Sequence, residues 1–479
     1  MSASDVFVIL PLITLSAAII IIMLLITILR NHLLTFIATL ISLVISIAAL
    51  CWSIPGQPYH ITDIFVMDSY ASFNIALIFV TVIVITIFSY GYEKKRDGIK
   101  EEYYIFLMTA TLGAAMLVGG THFVVLFIGI ELLSLSLYVL IAYSGKKLNI
   151  EAGLKYFVPA AVSIAFLLFG TALIYGGSGT MRFAELSYFV QTGAIISKPL
   201  FFAGIGFVLV GVCFKLALVT FHFWAPDVFE GAPVPVTAFL ATISKGAVFV
   251  VIMRYFSAID IINNVSLFYI FAVIATASMF FGNITPLLQN NIKRILAYSS
   301  IAHFGYLLVT LMAGGSVGIA AASFYLVAYF ITTLIAFGVI AILSGSESDY
   351  DNIDDYRGLV HRHPCISSIM ALAMLSLAGI PLTAGFIAKF YIITAGASVR
   401  LWILLVILVI NSVIGLFYYL RIVAALFGKS AELSEYKTMP AFSFLSVLTI
   451  TILAAALLWL GVNPSTFIQI VQKIAASLI

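Results

Sequence analysis

A chain of 479 residues, 63% hydrophobic and only 9% charged, with a mean hydropathy of +1.19, is excluded from the water-soluble enzymes, in which about a quarter of residues are charged. A formal net charge of +3 with dispersed Lys and Arg argues against a nucleic-acid partner. Cys51, Cys213 and Cys365 lie too far apart to form a disulfide framework, a zinc site or an iron-sulfur cradle, and are taken as core thiols.

In chain order, apolar runs of about 20 residues predict fourteen spans, at 4–29, 32–53, 70–90, 103–119, 122–143, 150–176, 199–222, 233–253, 265–285, 292–312, 316–343, 366–396, 401–426 and 440–462. The start MSASDVFVILPL lacks a basic segment and its apolar run is too long for a cleaved leader, so it is the first span. The runs are continuously apolar rather than alternating, and each must satisfy its own backbone in lipid, so the fold class is an all-α polytopic membrane protein. Gly119-Gly120-Thr121-His122 is the weakest boundary, with one re-entrant element as the alternative. Gly176-Gly177-Ser178-Gly179 is predicted as a flexible outer turn.

Lys and Arg accumulate in cytoplasmic loops. Fourteen of them fall in odd-numbered connections, among them Lys94, Lys95, Arg96, Lys146, Lys293, Arg357, Lys429 and Lys437. Even connections and the tail hold only Arg182, Lys198, Arg254, Arg400 and Lys473, so both termini are predicted to face away from the cytoplasm.

The remaining cations, Lys155, Lys215, Lys245 and Lys389, lie inside spans with Glu131, His222 and His303. A charge at a helix centre costs ~2.5–3.5 kcal/mol on the insertion scale, so such residues usually mark an ion path. Glu131 stands nine residues beyond His122, about 14 Å into a ~30 Å core. Ser134 is one turn from it, and Lys215 is predicted to share a helix face with His222. Burial disfavours the charged form of amine and carboxyl alike while pairing favours it, which makes such a set a switchable proton carrier. Lys155, four residues after Glu151, also admits a structural reading as a snorkelling ion pair. His303, four after Ser299, is equally open to being a hydrogen-bonded core histidine.

Two spans contain helix breakers: FKLALVTFHFWAPDVFEGAPVP with Pro226, and LAGIPLTAGFIAKF with Gly379 and Pro381. They stand five spans apart, and an odd offset reverses direction in the membrane, so two inverted five-helix repeats with a broken helix in each are expected. The expected boundaries are 1–102 for an N-terminal three-helix segment, 103–255 and 265–427 for the repeats, and 440–479 for a C-terminal helix and short tail. The polar connection 344–364 holds five acids with His361 and His363, lacks calcium-loop spacing, and is predicted to be a solvated cytoplasmic loop rather than a metal site.

The segments FIGIELLSLSLYVLIAY, FKLALVTFHFWAPDVFEGAPVPVTAFLATISKGA, NIKRILAYSSIAHFGYLL and LSLAGIPLTAGFIAKFY resemble, in order over about residues 70 to 430, the antiporter-like membrane subunits of respiratory complex I. The subunit N branch is favoured over its sisters. FLATISK lacks the histidine that the sisters usually place before their lysine, Phe390-Tyr391 follows Lys389, and no long lateral helix is expected after residue 462. Thr220 departs from the proline that relatives often carry before Phe-His.

The resemblance implies a proton-translocating membrane subunit of NADH:quinone oxidoreductase, a translocase component with no redox chemistry of its own. A subunit of a multisubunit cation/proton antiporter is the alternative. It implies Glu131 and Lys215 as a modulated pair, Lys245 as central relay and Lys389 as far-side relay, with Lys155, His222 and His303 auxiliary. It further implies that NADH, FMN, iron-sulfur clusters and quinone belong to partner subunits, with no cofactor or metal in this chain. Its partners would be the other membrane and peripheral subunits of complex I, the lipid bilayer and protons.

Overall fold

The structure, a computed structural model, describes residues 3–54, 56–258, 264–428 and 442–478. After a short helix Ala3–Val8, the helices are α1 Leu10–Ile28, α2 His32–Ser53, α3 Ser69–Glu93, α4 Glu102–Val118, α5 Phe123–Ala142, α6 Lys147–Ser178, α7 Lys198–Leu216 and α8 Trp224–Gly231. There follow α9 Val234–Phe256, α10 Val265–Ile284, α11 Ile292–Ala313, α12 Gly315–Leu343, α13 Pro364–Ala378, α14 Ala384–Ser398, α15 Trp402–Phe427, α16 Phe444–Val462 and α17 Ser465–Ala476.

Twelve helices are long and apolar enough to cross a membrane. The 17-residue α4 and the α13–α14 pair complete fourteen crossings among the described residues. The first span begins at Leu10, after a break at Ile9, the seventh ends at Leu216, and the tail forms the amphipathic α17, each a departure from the sequence-predicted boundaries; the twelfth is two helices, broken where the sequence predicts. Helix α17 buries Val471, Ile474 and Ala475 and sets Phe467 against Phe324 of α12 and Phe73 of α3. Lys429 and Lys437, and the start of the last predicted span at 440, lie outside the described residues.

Side-chain caps fix where several helices start. Asn31, Asp68 and Asn291 accept backbone N–H bonds from the first turns of α2, α3 and α11, satisfying donors that lipid could not. The bundle is layered around α9, α11 and α12, whose apolar windows are 100%, 94% and 94% buried, whereas α1 at 28% lies on the rim. Helices α6 and α7 approach through heptad-spaced glycines. A Cβ on Gly170 would meet the Gly204 carbonyl oxygen at 2.7 Å, and one on Gly177 the Phe201 nitrogen at 2.8 Å. The predicted outer turn at Gly176–Ser178 is therefore the packed last turn of α6, which ends at Gly179.

Odd and even connections segregate to opposite ends. At one end, Arg96 pairs with Asp349, Lys146 donates to the Glu347 carbonyl, and Arg421 reaches the carbonyls at Leu287 and Gln289. At the other, a hairpin of β1 Tyr59–Ile61 and β2 Phe65–Met67, too short to show in the sequence, rests on Gly119 and Gly120. The Phe65 ring fills the space a Cβ on Gly119 would need, so α4 and α5 are two helices and not one re-entrant element. Arg182 joins Asp63 and Glu185 at this end. Of the cysteines taken as core thiols, Cys213 is buried, but Cys51 and Cys365 are exposed on the outer surface of the bundle.

Candidate functional site

Lys215, Lys245 and Lys389 are buried, with exposures of 2%, 0% and 7%. Each amine donates to a serine hydroxyl on another helix: Lys215 to Ser134 of α5 at 2.6 Å, Lys245 to Ser300 of α11 at 2.8 Å, and Lys389 to Ser412 of α15 at 2.9 Å. None of the three is within ion-pair distance of a carboxylate among the described residues. Aromatic faces complete the surroundings: Tyr156 for Lys215, Phe229 and Phe304 for Lys245, Tyr306 for Lys389. A hydroxyl accepts from an ammonium and donates to a neutral amine, so the contact survives gain or loss of the proton.

The two helix breaks present these amines differently. Helix α7 ends where Ala217 takes a left-handed φ of 55°, and the chain runs without helix to Trp224. Its freed carbonyls are met locally: Leu218 N–H donates to Cys213 O and the Trp224 indole to Phe214 O. Pro226 is therefore not the break. It lies in the first turn of α8, where proline is tolerated because its missing N–H would have no partner. The same break takes His222 off the Lys215 face; its Nδ1 is buried without a partner among the described residues, and its ring lies on Phe223.

The second break lies where expected, between Gly379 and Ala384, with Pro381 in it. Gly379 holds φ at 86° and closes α13. Lys389 stands beyond the break, not before it as Lys215 does, and reaches back to the carbonyls of Leu377 and Ala378, both at 2.9 Å. It caps the negative end of the half-helix α13.

Helix α11 links the central and far amines. Ser300 holds Lys245; one turn on, His303 accepts or donates at Tyr325 (2.7 Å) and Tyr419 (3.2 Å), and Tyr419 also meets Ser299. Tyr306, beneath Lys389, continues to Asn283 and Tyr418. A cavity of about 10 Å3, lined by His303, Tyr325, Tyr329, Thr332 and Ser376 among others, has room for one water-sized molecule next to the α13–α14 break. Lys245 itself follows a π-helical turn, Leu240–Ser244, which rotates the lysine relative to the preceding turns.

Two predicted members stand otherwise. Glu131 is half-buried on α5 and forms no ion pair with Lys215, whose amine bonds instead to Ser134, one turn along the same helix. Lys155 is 46% exposed and held by Glu151 and Asp227, both at 2.9 Å, so it belongs to a peripheral ionic cluster and not to the buried line. The Asp227 carboxylate also accepts from Arg294 at 2.8 Å, which ties α8 to α11.

That cluster includes the connection predicted as solvated. Asp349 is mostly buried and accepts from Tyr92, Arg96 and Lys293, all at 2.7 Å. Burial pushes its carboxyl up, yet Lys293 and Arg96 overcome that and hold it well below the usual carboxylate range. Buried Arg254 likewise forms a two-pronged pair with Asp68 at the opposite end. Ser134 was noted only as a neighbour of Glu131, while Ser300, Ser412, Tyr325 and Tyr419 escaped the sequence reading; the i, i+3 placement of Ser300 and His303 is the signal that could have found the first of them.

Residues 120–415 match the family described as NADH:quinone oxidoreductase/Mrp antiporter, transmembrane. The NADH-quinone oxidoreductase subunit N of Ectopseudomonas mendocina (strain ymp) is 41% identical, covering 99% of this chain and 97% of that protein. The subunit of the same name from Methylococcus capsulatus is 38% identical, covering 94% and 92%. A chain of respiratory complex I from Thermus thermophilus with bound aureothin has 29% identity and a TM-score of 0.81, covering 96% of this chain and 98% of that one. The chain thus belongs to the NADH-quinone oxidoreductase subunit N family, within the wider NADH:quinone oxidoreductase/Mrp antiporter transmembrane family.

Proposed function

We propose that the chain is a proton-translocating membrane subunit of a bacterial NADH:quinone oxidoreductase, and that Lys215, Lys245 and Lys389 carry the proton. The observation that supports this most is the threefold pattern of a buried lysine hydrogen-bonded to a serine and to no carboxylate. A purely structural buried cation is normally paired, because an unpaired one is strongly unfavourable. An amine that alternates between charged and neutral needs a partner that tolerates both forms, and serine is one.

Glu131 acts on Lys215 through space, and Ser134, one turn from Glu131, bonds the Lys215 amine. A change of its charge or position, driven by redox chemistry in partner subunits, alters how readily Lys215 holds a proton. The proton passes to Lys245, then along Ser300, His303 and the adjoining cavity to Lys389. NADH, FMN, iron-sulfur clusters and quinone are bound by those partners. The relay is carried by two inverted units, 103–255 and 265–427, an arrangement supported by broken helices five crossings apart. The end holding Arg96, Lys146, Lys293 and Arg421 faces the cytoplasm, and both termini face the periplasm.

Glu131→Gln and Lys245→Ala test this reading in membranes holding assembled complex. Both should sharply reduce NADH-driven proton pumping while NADH oxidation by a water-soluble acceptor continues. Undiminished pumping in either would remove that residue from the relay.

A further inference from the structure

On the outer surface, α10 and the start of α15 enclose a groove of about 460 Å3 lined by Phe268, Ala272, Ala277, Leu404 and Ile407, with Arg400 at its mouth. We propose that this groove holds one acyl chain of an anionic phospholipid of the outer leaflet, with the phosphate on Arg400.

Charge is the first support. Of the cations on this face, Arg182 is neutralised by Asp63 and Glu185 and Arg254 by Asp68; Lys198, Arg400 and Lys473 form no ion pair among the described residues, and of these three Arg400 is the one that lines the groove. Arg400 is exposed, and among the described residues its guanidinium has no carboxylate partner and no acid lines the groove. Arg400 also holds a left-handed φ of 64°, a conformation that favours glycine, so a long cation stands where its own backbone does not favour it. An unpaired guanidinium beside hydrocarbon suits a phosphate, which it binds with two parallel bonds.

Depth and lining are the second. Tyr269 and Trp402 flank Arg400, 63% and 60% exposed, and such rings settle at headgroup level. From Phe268 to Ala277 the groove descends nine residues along α10, about 14 Å and so close to half of a ~30 Å hydrocarbon core. Along that depth the lining is apolar, Ala272, Val273, Ala277, Leu404 and Ile407, as an acyl chain requires. One acyl chain fits it.

The test uses purified, assembled complex in vesicles containing a photoactivatable phosphatidylglycerol, with labelled peptides identified by mass spectrometry. Two variants leave the proposed relay untouched: Arg400→Asn, which tolerates the left-handed backbone, and Ala272→Phe, which fills the groove. The wild type should be labelled within 264–278 and 400–408. Labelling should fall about fivefold in Arg400→Asn, as expected for one interfacial cation, and at least as far in Ala272→Phe. A photoactivatable phosphatidylcholine should label weakly, and millimolar inorganic phosphate should not compete. Equal labelling in both variants, equal labelling by phosphatidylcholine, displacement by free phosphate, or cross-linking of these segments to a helix of another subunit in place of lipid would each overturn the proposal.

Discussion

Replacing Gly379 by alanine perturbs the far-side lysine without replacing a titratable group. Gly379 ends α13 with φ at 86°, donating its N–H to the carbonyls of Leu375 and Ser376. Alanine there incurs about 1–2 kcal/mol from the left-handed backbone. Its Cβ would stand 2.9 Å from Lys389 Cδ and 3.1 Å from Nζ, so the lysine must move. The amine then loosens some of its bonds to Leu377 O, Ala378 O and Ser412, each at 2.9 Å. One charged hydrogen bond lost adds about 1.5–3 kcal/mol. The variant should therefore lose about 3 kcal/mol of stability in all and, with the ~1.5 kcal/mol of the lost bond falling on the transfer barrier at ~1.4 kcal/mol per decade, pump about tenfold more slowly. The assay is NADH-driven acidification of inverted vesicles, scaled to assembled complex, with Gly176→Ala as control, where no atom lies within 4 Å of the new methyl. Wild-type pumping by the Gly379 variant at equal assembly would refute the coupling of Lys389 geometry to transport.

Ser300→Ala should leave the Lys245 ammonium without its hydroxyl acceptor, weakening that form by about 1.5–3 kcal/mol and slowing pumping roughly tenfold or more; Ser300→Thr, which keeps the hydroxyl, should recover most of the rate. Lys155→Ala should leave pumping within about twofold, because its bridges to Glu151 and Asp227 are exposed and outside the buried line. Asp349→Asn should destabilise the fold by about 3 kcal/mol near neutrality, having stripped Lys293 and Arg96 of a buried partner. Because the Asp349 carboxyl is held below its ordinary value, its contribution is present above the unfolded pKa of about 3.9 and is lost as pH falls through the lower folded one. The difference in melting temperature between variant and wild type should thus be flat from pH 5 to 8 and shrink only in stronger acid.

The buried amines were legible because charge inside an apolar run is costly and therefore conspicuous: Lys215, Lys245 and Lys389 stand out of their segments on composition alone. What they bond to was not legible, because hydroxyls are common in membrane helices and the partners lie far off in sequence, Ser300 being 55 residues from Lys245. Pro226 misled for a related reason, since proline's effect depends on its place in the helix, and the break is set by Ala217. Lys155 showed its local acid Glu151 but hid Asp227, 72 residues away, whose bond ties it to the rim. Asp349 was lost among the other acids of a polar connection; only the folded chain brings Tyr92, Arg96 and Lys293 around it. The fourteen crossings survived almost unchanged because the lipid-imposed length of a span is a local property.

The alternation of the central amine between charged and neutral is tested most directly by freezing it in each state. Lys245→Met is always neutral and Lys245→Arg always charged. Proton pumping per NADH oxidised, measured on assembled complex, should fall to background in both. Full pumping by the methionine variant would show that no proton rests at this position, and full pumping by the arginine variant that a fixed positive charge suffices.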